Sequence, residues 1–308
     1  MNQTAALLAL APLLAMSACS TTAARSEGAS AIRVAHLGAD EGDQEGFAAL
    51  RTSFAAANPG YDVQWTEDLA ALPAEDRTRI AFVQSGDPAS EALGVGDVVL
   101  LRPGHSQAAP NGCCAVVFTV PEPLPDDVPA VIRPDWDENI TDTPGGCAEE
   151  TGAYRRILLT WLPTVGPYVY RALNCHRVRI TDSFAHYHPL VGGFDEFYLV
   201  QMVQPGAVLY TSTKVARMED PGSVTADEAA VMIDRHELAV GDLVYLPRGT
   251  MHRGFGGVLA QIITTPGFKP GAEIGLDHHL KAINDRLALE GKAALPYREK
   301  SAGRAVVK

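Results

Sequence analysis

Two stretches of this chain recur, in the same order, and such duplication restricts the fold to one assembled from two copies of a single unit. The run LGVGDVVLLRPG at 93–104 lines up with LAVGDLVYLPRG at 238–249, and IAFVQ at 80–84 lines up with FYLVQ at 197–201. Val83 to Gly96 covers 13 positions where Val200 to Gly241 covers 41, so the second copy carries an insertion between strands. Within it Thr225-Ala226-Asp227-Glu228 reads as a capping box, with Ala229, Met232 and Ile233 at helical spacing behind it.

What the repeated unit is made of follows from composition. With 28 Gly and 21 Pro the chain favours many turns and short strands over a helical bundle, so the expected class is all-β. Hydrophobic residues at 46% and charged residues at 20% suffice for a core and exclude a disordered chain. The balance of 25 Lys+Arg against 37 Asp+Glu, a net charge of −12, argues against nucleic acid or anionic lipid as a partner. The chain divides into a leader and tether at 1–24, a first copy at 25–120, a Pro- and Asp-rich linker at 121–150, a second copy at 151–270, and a C-terminal helix and tail at 271–308. In that last part Leu276, Leu280, Ile283 and Leu287 form one apolar stripe, with Asp277 as the expected N-cap and Gly291 as the stop.

The leader is an address. Residues 5–18, AALLALAPLLAMSA, are uncharged and too few to span a bilayer, but fit a secretory segment. Met16-Ser17-Ala18-Cys19 resembles a bacterial lipobox, which makes Cys19 the candidate lipidation site, and a simple cleavage near Ala18 or Ala24 is the rival. Either way the chain is expected to be exported, periplasmic or membrane-anchored, touching the membrane only through the lipid. Cysteines 113, 114, 147 and 175 remain. An even number suits an oxidising compartment, and since Cys113 and Cys114 are adjacent, each is expected to pair with Cys147 or Cys175.

The chemistry concentrates in the second copy. His186-Tyr187-His188 ends an alternating segment and puts two imidazoles on one face. After a Pro-Gly loop, Asp195-Glu196-Phe197-Tyr198 opens another strand with a carboxylate at its mouth. In 241–252, Gly241 makes an entry turn, 242–246 form a strand, Pro247 ends it, Gly249 permits a positive φ, and His252 begins the next strand. Three imidazoles and one carboxylate can thus converge on one divalent ion. His36, His105, His176 and His236 have no partner at ligand spacing, and the adjacent His278-His279, which could suggest a second metal site, fits a helix surface.

The spacing His186-x-His188 followed by Glu196, then Gly241-x5-Pro247-x-Gly249-x2-His252, resembles the paired motifs of the cupin superfamily. The first motif departs from the family: seven residues separate His188 from Glu196 where three or four are usual, which leaves Asp195 as an alternative, although strand alternation favours Glu196. The resemblance covers 153–270 and, through the repeat, 61–120. It implies two double-stranded β-helix barrels, a bicupin, with metal ligands His186, His188, Glu196 and His252 in the second only. In the first copy Arg79 stands where Glu196 does and Gln107 where His252 does, so a metal-free packing partner is expected there. Tyr198, Tyr210, Tyr245, Arg253 and Phe255 are the candidate pocket residues.

Such a ligand set suits Fe, Mn, Ni or Zn without choosing among them and leaves two positions open. The resemblance implies a metal-dependent enzyme on a small oxygenated substrate, dioxygenase or oxidoreductase in type. A sugar or keto-acid isomerase and a non-catalytic binder of carbohydrate or another small ligand are the alternatives, and a homodimer stays open. The leader yields the first test. Mass spectrometry of the mature protein from a bacterial host should find a lipidated N-terminus at Cys19 or a free one near Ala18 or Ala24; an intact Met1 would defeat export.

Overall fold

Strands arise where β-branched and aromatic residues run in short stretches closed by Gly, Pro or Asp. The computed structural model describes residues 32–37, 43–85, 93–105, 111–145 and 153–308; the leader with Cys19, and Gln107 and Cys147, lie outside the described residues. In chain order the elements are β1 (Arg33–His36), α1 (Gln44–Ala57), β2 (Asp62–Thr66), β3 (Thr78–Ser85), β4 (Val98–Leu101), β5 (Cys114–Val120) and β6 (Val131–Ile132). There follow β7 (Arg155–Leu159), β8 (Asn174–Asp182), β9 (His186–Tyr187), β10 (Asp195–Val203), β11 (Val208–Ser212), α2 (Val215–Met218) and α3 (Ala226–Ala230). The chain closes with β12 (Asp234–Glu237), β13 (Asp242–Leu246), β14 (Met251–Thr265), β15 (Ile274–Gly275) and α4 (Asp277–Leu287).

The class is all-β. One sheet has five strands in the order β2-β5-β3-β4-β6; the other has ten, along β1-β13-β10-β14-β11-β12, with β7, β8, β9 and β15 branching from it. Every pairing of these strands is antiparallel. Among the described residues neither sheet closes on itself, so the expected barrels are open, strongly folded sheets.

The duplication holds at the level of hydrogen bonds. β3 pairs β4 with Ile80 opposite Leu100, and β10 pairs β13 with the equivalent Phe197 opposite Tyr245. Both β3 and β10 break register against their third strand at the same point, between Val83 and Ser85 in one and between Val200 and Met202 in the other. Gly96 N–H donates to Val83 O at 3.0 Å, and Gly241 N–H to Val200 O at 3.0 Å. The carboxylate of Asp97 accepts from Gly94 N at 2.9 Å, and that of Asp242 from Ala239 N at 2.8 Å. A bulge inserts one residue and bends its strand, so a shared bulge means a shared curvature.

The two copies exchange an edge strand. β1, from the start of the first copy, pairs with β13 of the second, Val34 opposite Val244. β6, which precedes the second copy, pairs with β4 of the first, Val131 opposite Val99. At each edge contact a basic side chain meets the equivalent carboxylate: His36 Nδ1 lies 3.1 Å from Asp242 Oδ1 and Arg133 Nε 3.3 Å from Asp97 Oδ2. The stretch 121–145, which reads as linker in the sequence, therefore supplies a strand to the first sheet.

Equivalent faces pack against one another. Ile80, Phe82, Val98, Leu100 and Phe118 share one buried cluster with Phe197, Leu199, Leu243, Tyr245 and Ile263. Phe54 of α1 sits at its centre, with ring centroids 5.0 Å from Phe197, 5.9 Å from Phe118 and 5.7 Å from Tyr245, all edge-on, the arrangement aromatic quadrupoles favour. The alternate residues of the same strands fill the inside of each copy: Ala81, Val83 and Val99 in the first, Tyr198, Val200 and Val244 in the second.

The insertion forms α3 with both halves of the Thr225/Glu228 capping box, yet the helix stops at Ala230, so Met232 packs from a turn. α4 forms over the expected stripe and ends at Ala288, which takes a left-handed φ of 50°. Asp277 does not cap it. Asp277 is the first helical residue, and its buried carboxylate accepts instead from the N–H of Ala185 and of Arg298, both at 3.0 Å, tying the helix to the segment just before β9. The expected pairing of Cys113 or Cys114 with Cys175 is also not found. All three are free, and Cys113 and Cys175 lie in separate apolar clusters.

Because Phe118 joins the first sheet to α1 and to the second, Phe118→Ala should cost about 3–5 kcal/mol and move one cooperative denaturant transition. Two separated transitions, with only one displaced, would show that the copies fold independently.

Candidate metal centre

The alternation of β10 sends neighbouring carboxylates in opposite directions. Asp195 points into the contact between copies, where it accepts from Asn58 Nδ2 at 2.5 Å, Tyr245 Oη at 2.8 Å, and Arg248 N and Nε at 2.9 and 2.8 Å. That saturates it and removes it as a ligand. Glu196 faces the inside, its Oε1 3.3 Å from His252 Nε2 and its Oε2 3.8 Å from His188 Nε2.

The two sequence motifs meet through backbone. His252 lies opposite His186 across β14 and β9, and Gly249 N–H donates to His188 O at 2.7 Å. Gly249 takes φ 82°, where a side chain is disfavoured, so the turn that delivers this bond depends on glycine. The lengthened loop before Glu196 closes by Gly193 N–H to Pro189 O at 3.1 Å, and a Cβ at Gly193 would stand 2.2 Å from that oxygen.

The ligating atoms of His186, His188 and His252 lie within 4.8 Å of one another, all three residues are buried, and among the described residues they form the only such group of three or more His, Cys, Asp or Glu. His186 Nδ1 is 3.1 Å from Phe184 O and His252 Nδ1 3.3 Å from Thr250 O. With Nδ1–H donating to those carbonyls, each Nε2 presents a lone pair inwards, the tautomer a metal requires. Nε2 of His188 and of His252 are buried and make no hydrogen bond. Two orphaned acceptors beside a third imidazole and a carboxylate fit a divalent transition ion. Phe184 stacks on His186 at 4.2 Å and Phe194 packs on His188 at 3.9 Å, fixing both rings. Burial, reinforced by neighbouring His252, holds His186 and His188 well below the usual histidine pKa, so both are neutral and ready to ligate.

His186 and Glu196 open onto a cavity of about 210 Å³. Ile157, Leu159, Ile262 and the stacked pair Trp161 and Phe268 make its apolar wall; Arg155, Asn174, His176 and Lys308 add polar atoms. Glu273 lines it too, with Oε1 3.8 Å from His186 Nε2. Burial, aided by the charge of Glu196, pushes the Glu273 carboxyl up to about 7. Nothing in the motif spacing points to Glu273 or to half-buried His176; only the alternation of β8, in which Asn174 and His176 share a face, signals the latter.

The five candidate pocket residues lie elsewhere. Tyr198 is buried behind the site, its ring 6.2 Å from that of His252. Tyr245 is committed to Asp195 on the opposite face. Arg253 sits between the rings of Tyr210, at 5.9 Å, and Phe255, at 5.1 Å, and donates to Asp182 Oδ1 at 2.5 Å. None of the five lines the cavity of His186 and Glu196.

An inward HxH pair, a carboxylate and a later His, on two equivalent antiparallel sheets, decide the resemblance. The arrangement resembles that of the cupins. No family model matches the chain, and no curated protein matches it. Solved structures similar to it include a single-residue mutant of the oxalate decarboxylase OxdC of Bacillus subtilis, 13% identical over 82% of this chain and 78% of that one, TM-score 0.42. Others are an IolB-like protein from Salmonella typhimurium LT2, 15% identical over 67% and 82%, TM-score 0.41, and the mannose 6-phosphate isomerase of Bacillus subtilis, 16% identical over 42% and 56%, TM-score 0.30. Likenesses this distant carry nothing about reaction or substrate.

The opposite orientations of Asp195 and Glu196 separate stability from metal binding. Asp195→Ala should lower the unfolding free energy by about 3–5 kcal/mol, since Arg248 loses its carboxylate and Asn58 and Tyr245 lose their acceptor, and leave metal content intact. Glu196→Gln should do the reverse. Metal loss on replacing Asp195 in folded protein would reverse the assignment.

Proposed function

We propose that this cupin-like chain is an exported, metal-dependent enzyme of oxidoreductase type, dioxygenase-like, acting on a small oxygenated substrate. The observation that carries it is the pair of buried imidazole nitrogens, His188 Nε2 and His252 Nε2, that no hydrogen bond satisfies. Leaving such acceptors bare costs roughly 1–3 kcal/mol each, and an ion held between them removes that cost.

His186, His188, His252 and Glu196 would hold the ion, which supplies Lewis acidity and, if redox-active, electron transfer at this position. The chain's own residues do the rest. The apolar wall of Ile157, Leu159, Trp161, Ile262 and Phe268 excludes bulk water, which strengthens every electrostatic contact inside. Asn174 is committed to the backbone, its Nδ2 donating to Tyr170 O and Leu173 O and its Oδ1 accepting from Phe268 N, so it fixes the cavity wall, while His176, held neutral by burial, offers an imidazole. At about 210 Å³ the cavity is smaller than the roughly 300–1,000 Å³ of drug-sized sites, so the substrate has few heavy atoms.

Protein isolated from its own host should contain one equivalent of a divalent transition metal and consume O2 with a small hydroxy- or keto-acid or enediol from a substrate panel. Chelation, His186→Ala and His252→Ala should each abolish the activity. Metal-free wild-type protein, or a ligand affinity that both substitutions leave unchanged, would rule the enzyme out in favour of a binding protein.

A further inference from the structure

One carboxylate at the centre falls outside both motifs. Glu273 precedes β15, and β15 pairs with β9 so that Gly275 lies opposite His186 itself. Around this point the backbone is fixed on both sides: Glu273 N–H donates to Lys308 O and Lys308 N–H to Glu273 O, both at 3.0 Å, and Leu276 N–H to Ala185 O at 2.7 Å. The Glu273 side chain, 16% exposed, is thereby delivered to the inner face of β9, where Oε1 stands 3.8 Å from His186 Nε2.

We propose that Glu273 is a further ligand of the ion, so that the substrate-free centre has three imidazoles and two carboxylates and one open position in place of two. The inference rests on the metal reading given under Proposed function. Donors bonded at about 2.1 Å to one octahedral ion lie about 3.0 Å apart when adjacent and about 4.2 Å when opposite. The contacts of Glu196 with His252 at 3.3 Å and with His188 at 3.8 Å fall in that interval, and so does that of Glu273 with His186 at 3.8 Å; only the three imidazoles lie within 4.8 Å of one another throughout, so both carboxylates must close in further to share the ion. The two carboxylates thus flank the imidazole trio from different sides, Glu196 beside His188 and His252, Glu273 beside His186. Two carboxylates also neutralise a divalent ion in full, which a buried centre favours over the net charge of +1 left by Glu196 alone. A substrate that binds through two oxygens would need Glu273 to give way, and the pairing of β15 with β9 would keep Glu273 beside it.

The test is metal affinity of the full chain for Mn(II) and Zn(II), read by chelator competition, with circular dichroism to confirm folding. Glu273→Gln should bind both ions about 10–100-fold more weakly than wild type. Exposed Glu290→Gln, which removes an equal charge away from the cavity, should bind as wild type does. If Glu273→Gln does not fold, Glu273→Asp, which keeps the charge and shortens the reach by one methylene, should show the same direction of loss. Affinity within about twofold of wild type for a folded Glu273 variant, while His252→Ala loses the ion, overturns the inference and leaves the metal centre standing. Wild-type protein that takes up neither ion overturns both.

Discussion

The pleat of β10 is the constraint on which the rest of the molecule depends. Alternate side chains of one strand must leave on opposite faces, so Asp195, Phe197 and Leu199 are driven into the contact with the first copy while Glu196, Tyr198 and Val200 enter the second. A shift by one residue would put Asp195 at the imidazoles and bury Glu196 against Phe54. Register is therefore held from both sides at once, by the aromatic contact layer on one face and by the His-facing carboxylate on the other.

That two-sidedness explains what the first copy does. Its strands repeat the curvature and register of the second, but at the position of Glu196 it has Arg79, buried and donating to Pro73 O at 2.6 Å and to Glu75. A guanidinium inside that copy repels any cation, and its two terminal nitrogens donate to local carboxylate and carbonyl oxygens, so the interior there stays an apolar packing cluster. The exchanged edges, β1 on β13 and β6 on β4, mean that neither copy completes its sheet without chain from beyond it. The first copy is thus a rigid backing for the strands that present Glu196 and, through β13 and Gly249, His252.

Much of this was legible in the residues. Gly241, Pro247 and Gly249 each carry a backbone requirement that places His252 at the start of the next strand, and the repeat aligned the segments that form β3 and β4 with those that form β10 and β13. The strand exchange was not legible, because β1 has four residues and β6 two, too short for periodicity to register. The capping role expected of Asp277 failed for a different reason: a helix start and a buried tether ask for the same residue type, and only tertiary contacts with Ala185 and Arg298 distinguish them. The cavity lining was not legible either, since it comes from β7, β8 and the segment around β15, none of which carries a motif.

The segment around β15 matters most for what the centre can do. An ion held by neutral imidazoles alone would place two uncompensated charges in a site sheltered from water, and Coulomb energy in such surroundings is several times its value in solvent. Glu196 offsets half of that charge. The remaining half must be met by a second anion from the protein or from the substrate, and Glu273 is the protein group within reach of His186. A chain whose substrate is itself anionic can exchange the one for the other without a change in net charge at the centre. Selectivity for anionic, oxygen-rich molecules would then arise from charge balance as much as from the shape of the cavity wall.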